Sequence, residues 1–396
     1  MEAYALEWVQ LLIRWVHLIT GIAWIGSSFY FVMLDNSLLP PKRQQDADEG
    51  IGGELWAIHG GGFYHVQKFR VAPAELPSPL HWFKWEAYWT WMSGFALFII
   101  MYYAHADLYM IDRSVADLQP WQAIAISLAL MVGGWLFYDQ LCKRAGLDHE
   151  KVIAVVMVLF LTVTAWGVSH LFSGRAMFMQ VGAMMGTIMA WNVFFVIMPS
   201  QRKLVEAKER NEPPDPIYGQ WGKQRSVHNN YFTLPVLFIM ISNHYPHTFG
   251  HQHAWLVLIA VLLLAALIRH FFNLRHRGRT AWAIPAVAAI GTLALAIVIA
   301  PVAPKAAAYT FADVQRIVAE RCTTCHADKP TQPGFLVAPK GFVLETPAQI
   351  VASAQKIKEQ AVLTKAMPIG NLTNMTDAER ATLGAWLAAG APPPKP

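Results

Sequence analysis

The chain has 396 residues, of which 55% are hydrophobic and only 14% are charged, with a mean hydropathy of +0.32. Soluble domains average about 25% charged residues, so this composition leaves too little polar surface for a water-soluble globule and also excludes a disordered chain. The net charge of +5 is too small to indicate a nucleic-acid partner, and three cysteines cannot form a disulfide framework. The composition therefore predicts an integral membrane protein.

Long apolar runs locate the membrane spans, because about 20 apolar residues cross a bilayer core of about 30 Å. Eight such runs predict helices at residues 8–34, 87–111, 121–141, 152–172, 176–198, 228–244, 254–271 and 281–300. The first run lacks a positively charged start and a small-residue cleavage site, which is unlike a cleavable signal peptide. We predict an all-α protein, with an eight-helix transmembrane domain at 1–302, a linker at 303–308 and a small soluble domain at 309–396.

Lys and Arg are distributed unequally between the two sets of predicted connections. The connections after the first, third, fifth and seventh helices carry eighteen of them, whereas the other connections hold only Arg113 and Arg175. Since short cytoplasmic loops are enriched in basic residues, the first set is predicted to face the cytoplasm. Both termini, and the C-terminal domain with them, are then expected in the periplasm, on the outside of a bacterial inner membrane.

A five-residue pattern, Cys322-Thr323-Thr324-Cys325-His326, is the attachment signature of c-type haem. Two thiols three residues apart lie on one side of a helical turn, where they can add to the two haem vinyl groups, and the adjacent imidazole reaches the iron. A zinc knuckle or a redox dithiol is the alternative, but zinc would need further Cys or His ligands, and no histidine follows His326. We predict one covalent haem c, which agrees with a location outside the cytoplasm.

The second axial ligand of this haem is predicted to be a methionine thioether, since no histidine remains after His326. Met367 opens the segment 367–370, on the loop before a final helix that begins with a capping box at 376–379. This position is usual in class I cytochromes c, so His326 and Met367 are the predicted iron ligands. Met375 is the alternative ligand, and either methionine could instead fill the core.

Four histidines fall at one depth in the predicted outer halves of the membrane helices: His17, His105, His170 and His244. Ionisable side chains within a membrane are candidates for function, and facing imidazoles at one depth are what bis-histidine haem b requires. One or two haem b groups are therefore predicted, with structural hydrogen bonding as the alternative. If substrate is oxidised on the cytoplasmic side, electrons have to cross about 30 Å of hydrocarbon, which favours an intermediate redox centre.

Two further segments carry histidines at the predicted cytoplasmic face. Three glycines and two aromatic residues lie between His59 and His65. Such a backbone can lie close to a planar ligand, and the aromatic side chains can stack on it. His228 lies in the segment 225–231, whose Arg and Asn side chains can bind a heterocycle through paired hydrogen bonds or merely anchor the helix. His59, His65 and His228 are the candidate catalytic residues, and an interfacial loop with an aromatic belt is the alternative for the first segment.

The layout resembles the membrane-bound, cytochrome-c-containing urate oxidases (the urate hydroxylase PuuD family), in which an eight-helix membrane domain is fused to a C-terminal cytochrome c. The likeness covers essentially the full chain, and the residues that carry it are 14–17, 21–26, 59–64, 228–235, 242–246, 322–326 and 367–368. It implies that urate and water give 5-hydroxyisourate, two protons and two electrons, as a step of purine degradation. It also implies that haem c takes these electrons in place of dioxygen, and passes them to a soluble cytochrome c or a terminal oxidase.

Our hypothesis from this resemblance is that urate binds at the cytoplasmic face, where a side chain removes a proton, and that electrons pass outward through haem b. Two other functions remain open. The chain could be another haem-c-linked membrane dehydrogenase, for example one that oxidises quinols. It could also be a non-enzymatic haem or copper transport protein with a tethered cytochrome, because residues 14–26 also resemble four-helix haem and copper membrane proteins.

Overall fold

The structure, a computed structural model, describes residues 2–300 and 308–394. It is mostly helical, with 67% of residues in helices and 5% in strands, so the all-α prediction misses one small sheet. The predicted domain boundary and all but the last residue of the predicted linker lie outside the described residues.

Helix is present in each of the eight predicted segments. Within residues 2–300 the helices are α1 (Glu2–Ser37), α2 (Gln44–Asp48), α3 (Trp85–Phe98), α4 (Ala106–Tyr109), α5 (Pro120–Ala145), α6 (Glu150–Ser169), α7 (Gly174–Asn192), α8 (Met198–Glu209), α9 (Pro216–Ser242), α10 (Pro246–Phe249), α11 (Ala254–His276) and α12 (Ala283–Val298). Five helical stretches of the described chain are long and apolar enough to cross a membrane: Tyr4–Ser37, Pro120–Ala145, Glu150–Ser169, Gly174–Glu209 and Ala254–His276. The count of eight spans therefore stays a prediction.

Two of the predicted helices differ from the structure in extent. The predicted helix 87–111 is interrupted, because α3 continues into a π-helical turn at Ile99–Tyr103 and α4 begins only after His105. The predicted helix 228–244 begins earlier, at Pro216, where the Asp215 carboxylate accepts a hydrogen bond from the Ile217 amide at 2.9 Å. The early turns of α9 are polar, so apolar content could not reveal them.

Large apolar side chains cover the outer surfaces of α1 and α12. Leu11, Trp15 and Ile19 of α1 are 55%, 60% and 51% exposed, and Ile290 and Ile297 of α12 are 69% and 67% exposed. Apolar surface of this extent is unfavourable in water and is ordinary against lipid tails. The exposed faces of these helices are compatible with a membrane protein.

A β-hairpin occupies the connection between α2 and α3. Strand β1 (Ile51–His59) pairs antiparallel with β2 (Gly62–Phe69), and His59 lies opposite Gly62. Gly60 and Gly61 have positive φ values of 58° and 82°, which a tight two-residue hairpin turn favours. The glycine-rich segment is therefore the turn of a hairpin that the all-α prediction did not include, and its contact with a planar ligand stays a prediction.

Residues 308–394 form a separate small core. Their helices are α13 (Phe311–Arg321), α14 (Pro347–Ala352), α15 (Ala354–Ile357) and α16 (Asp377–Ala388), and Val314, Ile317, Leu383 and Trp386 are fully buried between them. The capping box predicted for the last helix is confirmed, since the Thr376 hydroxyl accepts from the Glu379 amide and the Glu379 carboxylate accepts from the Thr376 amide at 2.7 Å.

The C-terminal domain packs against connections that hold few basic residues. A Cβ atom at Gly370 would lie 2.6 Å from the carbonyl oxygen of Ile111, and one at Gly250 would lie 2.2 Å from the carbonyl oxygen of Thr364. Only glycine permits such close approach at these two points. The domain therefore meets the connection that follows α4 and the one between α9 and α11. The distribution of Lys and Arg predicts that both lie on the periplasmic side of the membrane.

Candidate functional site

The predicted haem-attachment residues lie on a single turn at the end of α13. Thr310 begins this helix with a capping box, and Cys322 ends it. The amides of Cys325 and His326 both donate to the carbonyl oxygen of Cys322, at 3.2 and 2.9 Å. The turn therefore brings both thiols and the imidazole to one end of the helix, as attachment of a haem requires.

The ring of His326 has a fixed orientation. Its Nδ1 lies 2.8 Å from the carbonyl oxygen of Phe342, and the amide of Leu344 donates to the carbonyl oxygen of His326 at 2.8 Å. A carbonyl only accepts, so Nδ1 carries the proton and Nε2 keeps a free lone pair. Histidines that ligate metals are held in this way by a hydrogen bond from the other ring nitrogen, and His326 therefore fits an axial iron ligand.

The surroundings of the two thiols differ from those of reactive cysteines. Burial raises the pKa of Cys322 to about 12 and also raises the pKa of Cys325, whereas reactive cysteines have lowered values. Among the described residues, no group of three or more His, Cys, Asp and Glu side chains could hold a metal ion. The residues present fit a haem c, with Cys322 and Cys325 as attachment points.

Both candidate sulfur ligands, Met367 and Met375, line the same cavity as His326. The backbone of Met367 is held at both ends, because its amide donates to the Gln360 carbonyl at 2.9 Å and its carbonyl accepts from Arg380 at 2.8 Å. Met375 is 3% exposed and belongs to the core of the domain. Met367 therefore remains the predicted sulfur ligand, and Met375 has the additional role of a core residue.

This cavity extends from the C-terminal domain into the membrane helices. Its volume is about 1500 Å³. The residues that line it include Cys322, Cys325, His326 and Met367 on one side and Arg14, His17, Trp91, Arg175 and His244 on the other. The predicted haem-attachment turn and two of the four candidate histidines thus line one cavity.

His17 and His244 are the candidate haem b ligands that the structure brings to this cavity. The Nδ1 of His17 lies 3.0 Å from the carbonyl oxygen of Thr90 and 3.2 Å from Oγ of Ser93, both on α3. The bond to the carbonyl leaves the lone pair on Nε2, as in His326. His244 follows the last turn of α9, and its side chain is exposed to the cavity.

The other two candidate haem b ligands lie elsewhere. His170, at the end of α6, is exposed, and its Nδ1 lies 2.8 Å from the carbonyl oxygen of Trp166 on its own helix. His105 lies before α4, where its Nδ1 is 4.0 Å from the position of a Cβ atom on Gly334 of the C-terminal domain. Neither residue belongs to the lining of the cavity described above.

His228, in the middle of α9, lies in a chain of hydrogen bonds with the C-terminal part of α5 and the first residue of α6. The Tyr138 hydroxyl donates to its Nδ1 at 2.7 Å, and its Nε2 donates to the Glu150 carboxylate at 2.7 Å. Tyr138 is 1% exposed, whereas the side chain of Glu150 is 49% exposed. The three groups connect a buried phenol to the surface and can carry a proton between them.

His65 and His59 belong to the hairpin. The Nε2 of His65 donates to the Glu54 carboxylate at 2.9 Å, and the His65 ring stacks on Trp56 with centroids 4.2 Å apart. His59 is exposed next to the turn. Within the described residues, no hydrogen bond joins His65 to the hydrogen-bond chain of Tyr138, His228 and Glu150. Two of the candidate catalytic histidines, His59 and His65, therefore share the hairpin, and His228 lies apart from them.

Sequence reasoning named Arg225 and the asparagines of the segment 225–231 but missed the two buried charged residues that bind them, Asp139 and Arg269. Arg225 donates to Asp139 at 2.9 Å, and the two side chains are only 4% and 2% exposed. Arg269 donates to Oδ1 of Asn230 at 2.8 Å, and its guanidinium stacks 4.1 Å from the ring centre of Phe29. A charged residue within an apolar run was the available signal, but Arg269 was counted only as a basic loop residue.

Comparison with known protein families matches residues 3–300 to the family described as urate oxidase N-terminal. No curated protein and no solved structure was found to match the chain. The matched range contains helices α1 to α12 and the hairpin, and it ends before the C-terminal domain.

Proposed function

Because this chain belongs to the urate oxidase N-terminal family, we propose that it oxidises urate in its membrane domain and delivers the electrons to a haem c in its C-terminal domain. The family relates the chain to urate and to oxidoreductase chemistry. The cytochrome c domain, the inner-membrane location and the final acceptor, a soluble cytochrome c or a terminal oxidase, are parts of the proposal. The packing of the C-terminal domain on connections poor in Lys and Arg supports the proposed orientation.

The observation that carries the proposal is the shared cavity. A site for haem c at Cys322 and Cys325 opens into the same space as side chains of α1 and α3. If the two domains were functionally independent, the haem-attachment turn could face water. Its position against the membrane helices instead favours electron delivery from one domain to the other.

The overall reaction converts urate and water to 5-hydroxyisourate with release of two protons and two electrons. A haem c bound at this turn supplies a one-electron acceptor, with His326 and Met367 as its iron ligands. In the membrane domain His228 is the candidate proton acceptor, because Glu150 can stabilise the charged imidazole. The hydrogen-bond chain through Glu150 also reaches the surface, where the proton can leave.

The test is reduction of the haem by urate without oxygen. The full-length protein, purified in detergent, is mixed anaerobically with urate, and the absorption of reduced haem c is followed together with the formation of 5-hydroxyisourate. We expect reduction by urate and none by a quinol. The double variant Cys322→Ser/Cys325→Ser should lose acceptor-linked turnover and still insert into membranes.

Two results would contradict the proposal. If a quinol reduced the haem and urate did not, the chain would be a different dehydrogenase. If the double cysteine variant oxidised urate with dioxygen at the rate of the wild type, the C-terminal domain would have no part in the reaction.

A further inference from the structure

We propose that the membrane end of the cavity binds a second, non-covalent haem, with His17 as one iron ligand and His244 as the other. The site is distinct from the haem c turn, and it does not depend on urate being the substrate. Four properties of the described residues support it: the size of the cavity, the orientation of His17, the space that Gly94 leaves, and two unpaired arginines.

The cavity is larger than one ligand requires. Pockets for a single small molecule or cofactor measure roughly 300–1000 Å³, whereas this one measures about 1500 Å³. Its membrane end is lined by apolar and aromatic side chains, among them Trp24, Phe29, Trp91 and Phe95. A flat, mostly apolar group fits such walls, and the haem c site at the other end leaves room for it.

His17 is held in the same way as the haem c histidine. In each ring Nδ1 lies close to a backbone carbonyl oxygen, that of Thr90 at 3.0 Å for His17 and that of Phe342 at 2.8 Å for His326. This bond fixes the ring and leaves Nε2 as the free ligand atom.

Gly94 provides the space for the His17 ring. A Cβ atom at position 94 would lie 2.8 Å from Cε1 and 3.2 Å from Nδ1 of His17. Any larger residue would push the ring from its position. Gly26 and Gly186 line the same cavity, and a Cβ atom on either would meet nothing within 4 Å, so open space faces both backbones.

Two arginines line the cavity without a carboxylate partner. Within the described residues neither Arg14 nor Arg175 forms an ion pair; Arg14 lies 3.1 Å from the sulfur of Met101, and Arg175 lies 5.1 Å from the ring centre of Phe249. Haem carries two propionate carboxylates, which pair well with guanidinium groups. Oδ1 of Asn243, also in the lining, is buried and has no hydrogen-bond partner among the described residues.

The test is the type and amount of haem in the purified full-length protein. Acid–acetone extraction removes haem b and leaves the thioether-linked haem c, and pyridine haemochrome spectra measure each fraction. We expect equal amounts of the two haems in the wild type. His17→Ala and His244→Ala should each lose most of the extractable haem and keep the covalent haem, which reports that the chain has folded and matured.

Matched variants separate ligation from folding. His170→Ala removes an exposed membrane histidine outside the cavity, and it should retain both haems. Gly94→Val should weaken retention of extractable haem roughly 10- to 100-fold, the usual effect of disturbing the support of a metal ligand. The low-spin bis-histidine signal in the electron paramagnetic resonance spectrum should disappear with His17→Ala.

The proposal is overturned if the wild type contains only covalent haem, whether or not it oxidises urate. It is equally overturned if His17→Ala retains its full extractable haem, or if a quinone without haem is the only organic molecule recovered. A wild type with both haems and no urate oxidation would contradict the proposed function and leave the haem site standing.

Discussion

Arg380 of α16 donates a hydrogen bond of 2.8 Å to the backbone carbonyl oxygen of Met367, on the loop that carries the predicted sulfur ligand. A second hydrogen bond reaches the carbonyl oxygen of Ala361, and the arginine is only 5% exposed. One buried side chain therefore ties the last helix to the predicted ligand loop.

Replacing Arg380 should loosen that loop. Arg380→Leu leaves two carbonyl groups without a donor, and we expect a loss of about 1–3 kcal/mol in the stability of the C-terminal domain. The reduction potential of the haem should also fall, because weaker methionine ligation favours oxidised iron. Redox titration and thermal unfolding measure the two effects. Arg316→Leu, an exposed residue paired only with Glu320, is the control and should change neither.

Substitution of each methionine distinguishes the ligand from the core residue. Met367→Ala should abolish the methionine–iron charge-transfer band of oxidised haem c and lower the potential. Met375→Ala should retain the band and destabilise the domain by about 2–5 kcal/mol, because it leaves a cavity in the core. The absorption spectrum of each variant decides between them. The assignment is reversed if the band disappears with Met375→Ala and survives in Met367→Ala.

His228 should affect turnover through proton transfer. If it accepts a proton from urate, His228→Ala should lower kcat by about 10²- to 10⁴-fold, with a smaller effect on KM. Glu150→Gln should displace the pH profile of kcat, since it removes the charge that stabilises the imidazolium. His149→Ala is the matched control, since this neighbouring histidine is exposed and its side chain hydrogen-bonds to the Ala145 carbonyl. If His228→Ala keeps the wild-type kcat, His228 has no part in the reaction.

His65 is hydrogen-bonded to Glu54, and substitution can distinguish a structural role of this bond from a catalytic role of the histidine. His65→Ala leaves the Glu54 carboxylate, 5% exposed, without its imidazole donor, and we expect a loss of about 1–3 kcal/mol in stability. His65→Gln can still donate to Glu54, so it should recover stability. Turnover that stays low in a stable His65→Gln protein would support the catalytic role. His59→Ala serves as the comparison on the same hairpin.

The C-terminal domain should be less stable in acid. Hydrogen bonds from Thr310 lower the pKa of Asp313, and a hydrogen bond from Lys365 lowers the pKa of Asp377. A carboxyl with a lowered folded pKa stabilises the fold above its unfolded value, and this contribution is lost as the pH falls through the folded value. The thermal midpoint, read from haem c absorption, should fall between about pH 5 and pH 3. In Asp377→Asn the thermal midpoint should depend less on pH. If the slope of the midpoint against pH is unchanged, the Lys365–Asp377 pair does not cause the dependence.

The prediction from sequence succeeded where the signal is local. The capping box at Thr376 and the turn at Cys322–His326 depend on residues within a few positions, and the structure has both features. The hairpin was missed because the apolar, aromatic and glycine residues of the segment 51–69 also suit an interfacial loop. The early start of α9 was missed because its first turns are polar, and packing against α8 stabilises them.

The sequence by itself determined the mostly helical class, the approximate positions of the apolar helices and the turn at Cys322–His326, since composition and short motifs carry that information. Only the tertiary structure decided which histidines meet. Four histidines at one predicted depth were equivalent in sequence, yet His17 and His244 share a cavity with Cys322, and His105 and His170 do not line it. The direction in which a side chain points depends on how each helix is rotated and packed against its neighbours, and a hydropathy pattern does not specify that rotation.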